Sequence, residues 1–277
     1  MARDGAAVRR DPRRRPAVKD AALVLGTESH YEDPEYYDRS YRRRRDDVRF
    51  YVRRAQELGG KGPVLELGVG SGRVALALAR EGLDVVGVDL MEPMLERLRE
   101  RLAKEPRRVR ERVTLHRADL CALDLGERFG LVTAPFHVFN HLYDAEALGA
   151  ALAVVRAHLR PRGRFLFDVR HPDPVELARD PQRVYKGRPV TRRGRRYHYR
   201  ERYDYDPVQQ LQTVEMAFVG VDDPTDFDMQ LLTHRCWYPA ELRALLGYNG
   251  FRVLEHLGDF EGEPLDETHD TQVLLCR

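Results

Sequence analysis

Between residues 64 and 167 short apolar runs alternate with segments of helical period, and no other feature restricts the fold of this 277-residue chain as tightly. Val64-Leu65-Glu66-Leu67 precedes a helical stretch near 72–81. Val85-Val86-Gly87-Val88 precedes another near 92–104, with Leu95, Leu98 and Leu102 on one face. Val113–His116 and Leu131–Ala134 follow, then a helix near 144–159 through Leu148, Leu152, Val155 and Leu159. After a break at Pro161-Arg162-Gly163 comes the strand Arg164–Phe167. Strands that are apolar throughout are buried on both faces, and the helices between them supply the crossovers that parallel strands require. The reading is an α/β protein with a doubly wound, mostly parallel sheet.

The flanking regions follow other rules. Residues 1–28 mix Arg, Pro, Ala and Asp without apolar period and read as a basic, mobile arm that small-molecule turnover does not need. A helix near 44–58 carries Val48, Tyr51, Val52 and Ala55 on one face. Residues 171–236 lose the helical period and hold alternating segments such as Tyr197–Tyr205 and Leu211–Phe218, which read as antiparallel strands with one wet face. Tyr197, Tyr199, Tyr203 and Tyr205 then share one face, as a pocket floor, sheet packing or a dimer surface. Pro239 opens a helix through Leu242, Leu245 and Leu246, and strands Arg252–His256 and Thr271–Leu275 end the chain. The expected organisation is the arm, a core of 29–170 and 237–277, and an inserted antiparallel lid of 171–236.

Composition removes several function classes. The formal charge is +2, of which +4 sits in the first 20 residues, so the body is close to −2 and has no broad basic face for nucleic acid. Cys121, Cys236 and Cys276 are odd in number and form no CxxC pair, which disfavours a disulfide framework or a zinc ribbon and suits the cytoplasm. No apolar run approaches the roughly 18 residues of a membrane span. Asp4, Asp11, Pro12 and Pro16 spoil an amphipathic transit helix.

The chemistry is carried by Glu66-Leu67-Gly68-Val69-Gly70-Ser71-Gly72, where the first strand turns into the first helix. Glycines there allow a sharp turn and close approach of a ligand to the main chain. A dinucleotide fingerprint would place its third glycine at position 73, which is Arg73. Glu66 lies where a pyrophosphate wants positive potential, whereas a ligand bearing an amino group and a sulfonium would welcome it. Asp89 ends the second strand, 17 residues after Gly72, where a carboxylate can accept both ribose hydroxyls of an adenosine. Asp119, after the third strand, can accept from an adenine amino group. This order favours S-adenosylmethionine over NAD.

On these residues the chain resembles the class I S-adenosylmethionine-dependent methyltransferases. Glu66–Gly72 is similar to their glycine motif, Val85–Leu90 to the strand with the ribose-binding acid, and Arg117–Leu120 to the adenine contact. The resemblance runs from about Tyr31 to Arg277 and implies a Rossmann-like, seven-stranded sheet whose last strand is antiparallel. It implies S-adenosyl-L-methionine as cofactor, leaving as S-adenosyl-L-homocysteine, held by Tyr41, Glu66, Gly68, Gly70, Gly72, Asp89, Leu90, Met91, Asp119, Leu120 and Pro135. Tyr37–Tyr41, Phe136–Leu142 and the insert before Trp237 resemble a narrower group, the glycine and sarcosine N-methyltransferases and the aminosugar N,N-dimethyltransferases. By that similarity Tyr41 reaches the methyl donor and His141 sits near the acceptor, while His137 replaces the Asn of the glycine enzymes.

Methyl transfer is an in-line displacement in which alignment and water exclusion dominate. His137 and His141 are the candidate bases or acceptor ligands, with Tyr41 beside them, and no metal is expected because no third ligand stands at a usual spacing. The expected activity is methyl transfer to a small-molecule amine. The alternatives are O-methylation, an RNA or protein methyltransferase tethered by the arm, and a non-catalytic S-adenosylmethionine-binding regulator. Thr133-Ala134-Pro135-Phe136 lacks the Asn/Asp-Pro-Pro-aromatic pattern of enzymes that methylate base amino groups. Expected partners are a small-molecule acceptor and a second copy of the chain in a homodimer, with neither membrane nor nucleic acid.

Overall fold

Strands too apolar to face water on either side must be covered by helices on both, and the computed structural model, which describes residues 18–59 and 62–277, shows that arrangement. Helices α1 (Val18–Glu28), α2 (Pro34–Tyr41) and α3 (Asp46–Leu58) come first. The alternating region supplies β1 (Val64–Leu67), α4 (Ala75–Arg80), β2 (Val85–Asp89), α5 (Glu92–Ala103), α6 (Arg107–Arg110) and β3 (Val113–Arg117). It continues with β4 (Phe129–Ala134), α7 (Ala145–His158), β5 (Leu159–Arg170) and α8 (Pro174–Leu177). The insert holds β6 (Tyr185–Lys186), β7 (Val190–Arg192), β8 (Arg195–Asp206), β9 (Leu211–Gly220) and β10 (Phe227–Arg235). Helix α9 (Pro239–Tyr248) leads to β11 (Val253–Leu257) and β12 (Thr271–Cys276).

The main sheet has seven strands in the order β11-β12-β5-β4-β1-β2-β3, with β1 to β5 parallel and β12 antiparallel to both neighbours. Leu65, Leu67, Phe165 and Phe167 pack on one side with Leu148 and Leu152 of α7 and Leu242 of α9. Val64, Leu131 and Leu166 pack on the other with Tyr51 of α3, Leu76 of α4 and Leu95 of α5. Strand order reverses between β1 and β4, and a crevice at the carboxyl ends of strands at such a switch point is where open α/β sheets bind ligands.

One strand boundary changes, and the insert is as expected. Strand β5 begins at Leu159, because Pro161-Arg162-Gly163 stays in the strand as an irregularity with Arg162 at φ 66°. The insert is a second, antiparallel sheet in the order β10-β9-β8-β6, with β7 on β8. Its tyrosines pack on the sheet: Tyr199 lies on Phe218, which meets Tyr36 of α2 edge-on, and the Tyr199 and Tyr203 hydroxyls both donate to Glu201.

The largest change is at the amino terminus. Residues 1–17 lie outside the described residues, but 18–28 form α1 rather than a mobile arm, seated on β10 of the insert. Side by side with it, Ser29 Oγ donates to the Leu231 carbonyl and accepts from its amide, both at 2.8 Å. Thr27 Oγ1 lies 2.6 Å from the Tyr143 hydroxyl. Gly26 permits the approach, since a Cβ there would stand 2.1 Å from Thr233 Oγ1 and 2.6 Å from Thr233 Cβ. Gly26→Val should therefore unseat α1. Overpacking of this kind costs about 1–3 kcal/mol, and hydrogen exchange should show faster exchange across α1 with the main sheet unchanged.

Candidate active site

The turn after β1 and the ends of β2, β3 and β4 open onto one cavity of about 490 Å³. Gly68 and Gly70 line it at φ 67° and 53°, a region that side chains avoid, so the wall here is bare backbone. Asp89 faces the cavity with its carboxylate already oriented: Oδ2 accepts from the Gly70 amide at 2.7 Å and Oδ1 from the Met91 amide at 2.8 Å. Burial pushes its pKa up and those amides pull it back down. Asp119 Oδ1 accepts from the Cys121 amide at 2.8 Å on the opposite wall. Leu90, Met91, Leu120 and Pro135 complete a mostly apolar lining, and Leu23, Val24 and Thr27 of α1 close one side.

Helix α2 connects this cavity to a second one. Asp33 caps it, accepting from the Tyr36 amide at 3.0 Å, and Pro34 fits its first turn. Asp38 accepts from Ser71 Oγ at 2.5 Å and from Arg97 Nε at 2.8 Å, which ties α2 to the glycine turn and to α5. Tyr37 and Tyr41 lie one helical turn apart on the same face. Tyr37 lines the first cavity as well as an adjoining chamber of about 160 Å³, and Tyr41 lines only the chamber. Tyr31, Tyr37 and Phe136 form the shared wall. The chamber also holds His30, Arg44, His137, Arg170, His234 and Asp270.

The Phe136 ring is held by Arg73 at 4.5 Å, Arg44 at 5.2 Å and Tyr41 at 4.9 Å. Phe136 and His137 both have positive φ, 65° and 64°, which costs on the order of 1–3 kcal/mol each unless the surroundings enforce it. The fully buried carboxylate of Asp168, on β5, enforces it. Its Oδ1 accepts from the Phe136 amide at 2.9 Å and the Tyr51 hydroxyl at 2.6 Å, and its Oδ2 from the His137 amide at 3.0 Å. Burial alone would raise the Asp168 pKa, but His137, Tyr51 and the Phe136 amide outweigh it and hold the carboxyl below its ordinary range.

Of the residues expected at the cofactor, Gly68, Gly70, Asp89, Leu90, Met91, Asp119, Leu120 and Pro135 meet around the first cavity. Tyr41 does not, because the helical turn after Tyr37 carries it into the chamber, where its hydroxyl is 3.2 Å from His30 Nε2. Glu66 is also elsewhere: strand alternation points it to the α4 side, where it is buried and accepts from the Ala75 amide. Gly72 serves packing, since a Cβ there would stand 2.2 Å from Leu98 Cδ1. His137 and His141 part company. His137 enters the chamber, while His141 lines the cofactor cavity with Nε2 2.7 Å from the Tyr31 hydroxyl. Asp168, His30, His234, Tyr31 and Tyr37 were missed by the sequence reading. Asp168 alone had a local signal, a charged residue at the carboxyl end of an apolar strand.

These ionisations set a pH profile for stability. Burial lowers His30 and His141 from the ordinary 6.5 to about 4, and His234 well below 6.5. The folded state thus binds these protons only at lower pH than the unfolded chain, so stability is intact above pH 6.5 and declines as pH falls toward 4. Glu66 works the other way, because burial raises it from 4.5 to about 8 and its contribution is full below pH 4.5 and lost as pH rises through 8. Denaturant titrations should show stability falling from pH 6.5 to 4. Glu66→Gln should stabilise the protein at pH 8 and change little at pH 4.5.

A family profile described as a methyltransferase domain matches residues 64–163. Over 100 residues the chain is 33% identical to the dTDP-3-amino-3,4,6-trideoxy-alpha-D-glucopyranose N,N-dimethyltransferase of Streptomyces venezuelae, covering 36% of this chain and only 39% of that protein. The CcbJ methyltransferase of Streptomyces caelestis superposes with a TM-score of 0.73 at 29% identity, over 84% of this chain and 95% of that one. The glycopeptide N-methyltransferase MtfA, solved with S-adenosyl-L-methionine, superposes with a TM-score of 0.56 at 26% identity, over 83% and 92%. No helix among the described residues is long and apolar enough to cross a membrane. The sheet order, the place of the cavity and the matched domain agree: the chain contains a methyltransferase domain over residues 64–163, and its fold is that of the solved methyltransferases on which it superposes.

Proposed function

We propose that this chain methylates an amine nitrogen of a small, polar acceptor bound in the 160 Å³ chamber, and that it does so in the cytoplasm. The observation that carries the reading is a chamber of buried imidazoles beside the cofactor cavity. Burial keeps His30 and His234 uncharged at neutral pH, so they accept hydrogen bonds without adding positive charge next to a sulfonium or an ammonium. Cofactor bound in the larger cavity supplies an electrophilic methyl group. That cavity suits it, with a side-chain-free glycine face, the carboxylates of Asp89, Asp119 and Asp144 and a volume inside the usual range of ligand pockets. Tyr31, Tyr37 and Phe136 set the approach between donor and acceptor and keep water out. Relatives named as acting on an aminosugar nucleotide and on a glycopeptide nitrogen support an amine acceptor. Helix α1, folded against the cavity, speaks against a role for residues 18–28 as a tether for RNA or protein.

Two measurements test this. Removing the Asp89 carboxylate takes away a charged acceptor contributing roughly 1.5–3 kcal/mol, so Asp89→Ala should bind S-adenosylmethionine about 10- to 100-fold more weakly by calorimetry. Unchanged affinity removes Asp89 from the cofactor site. With labelled S-adenosylmethionine, wild-type protein should methylate members of a panel of amino sugars, their nucleotide conjugates and short peptides, and should leave the matching hydroxyl compounds unlabelled. Label confined to hydroxyl compounds overturns the amine assignment.

A further inference from the structure

The two ring nitrogens of His137 have different surroundings. Nδ1 lies 3.0 Å from Asp168 Oδ2, a close ion-pair contact that falls short of hydrogen-bond alignment, and it has no hydrogen-bond partner among the other described groups. Asp168 is fully buried and stands outside the chamber, whereas the His137 ring forms part of the chamber wall, so its opposite edge, with Nε2, faces the chamber. Phe136 stacks on the ring at 5.4 Å and 26°, which fixes the ring plane. An ionised carboxylate can only accept hydrogen bonds. A neutral imidazole beside one therefore keeps its proton on the near nitrogen and presents a lone pair on the far one.

We propose that Asp168 is a positioning residue that holds His137 in the Nδ1–H tautomer, and that His137 Nε2 takes the proton an ammonium acceptor must lose before it is methylated. This rests on the amine reading above. One proton passes from the acceptor nitrogen to Nε2 and frees the nitrogen lone pair. That pair forms the N–C bond as the C–S bond breaks and its electrons stay on sulfur. The imidazolium is paired with Asp168 until it returns its proton to water. The other imidazoles of the chamber do not suit this role: burial lowers His30 to about 4 and His234 well below its ordinary value, and His30 Nε2 is engaged by Tyr41.

The carboxylate geometry dictates the test. Tyr51 and the Phe136 amide both donate to Oδ1, while Oδ2 accepts from the His137 amide and lies beside His137 Nδ1. In Asp168→Asn two donors hold the amide oxygen at the Oδ1 place against one, the His137 amide, at the Oδ2 place, so the NH2 group gives up that one bond, turns toward His137 Nδ1 and favours the Nε2–H tautomer of the ring. Full-length protein labelled with 15N-histidine and saturated with S-adenosylhomocysteine should show His137 as the Nδ1–H tautomer when neutral, its signals assigned by their loss in His137→Gln. Asp168→Asn should switch the tautomer. An Nε2–H ring in the wild type, or the same tautomer in both proteins, overturns the inference whether or not an amine is methylated. Should Asp168→Asn fail to fold, the wild-type tautomer decides, together with His137→Gln, which should lower kcat on a methylated amine by about 10²- to 10⁴-fold with little change in KM. Normal kcat in His137→Gln overturns the proton-transfer role. A tautomer switch in a protein that methylates no amine removes the amine reading and leaves only the positioning.

Discussion

The buried carboxylate of Asp168 is the point from which the site is organised. Two consecutive backbone amides in left-handed conformation form a concavity that binds an anion, and here the anion belongs to the neighbouring strand. One side chain thereby fixes the turn after β4, the Phe136 ring between the two cavities, and the edge of His137. Tyr51 extends the same tie to α3. A charge without water is tolerated because these donors, with His137 beside it, supply what solvent would have supplied.

A second set of polar contacts fixes the amino-terminal part against the sheet. Asp38 joins α2 to the glycine turn and to α5, and Asp33, besides capping α2, sits 3.2 Å from Arg192 of the insert. Beside the ends of β1 to β3, the two cavities are thus bounded by three parts of the chain distant in sequence: α1 and α2, the turn after β4, and the insert. The uncharged state of the imidazoles follows from the same enclosure.

What was legible in the sequence was local. Parallel strands buried on both faces announce themselves as apolar runs, so the core sheet could be read almost strand by strand. The glycine turn, Asp89 and Asp119 sit at strand ends, where short-range geometry decides what they face. Asp168 was out of reach, because its meaning lies in contacts with residues 31, 32 and 117 positions away. Tyr41 and Glu66 were assigned to the cofactor by motif position, yet a helical turn in one case and strand alternation in the other send them elsewhere. Helix α1 escaped because it is held by packing on the insert, and the Arg-rich composition preceding it masked an Ala- and Leu-rich segment.

The seat of α1 on β10 joins two matters that would otherwise be separate. The helix presents Leu23, Val24 and Thr27 to the first cavity and rests through Gly26 on the strand that carries His234 into the adjoining chamber. A shift of that strand therefore carries a wall of the first cavity with it. The shapes of the two cavities are in this fold coupled through one helix–strand contact, so a change in the insert at β10 reaches the first cavity by way of α1.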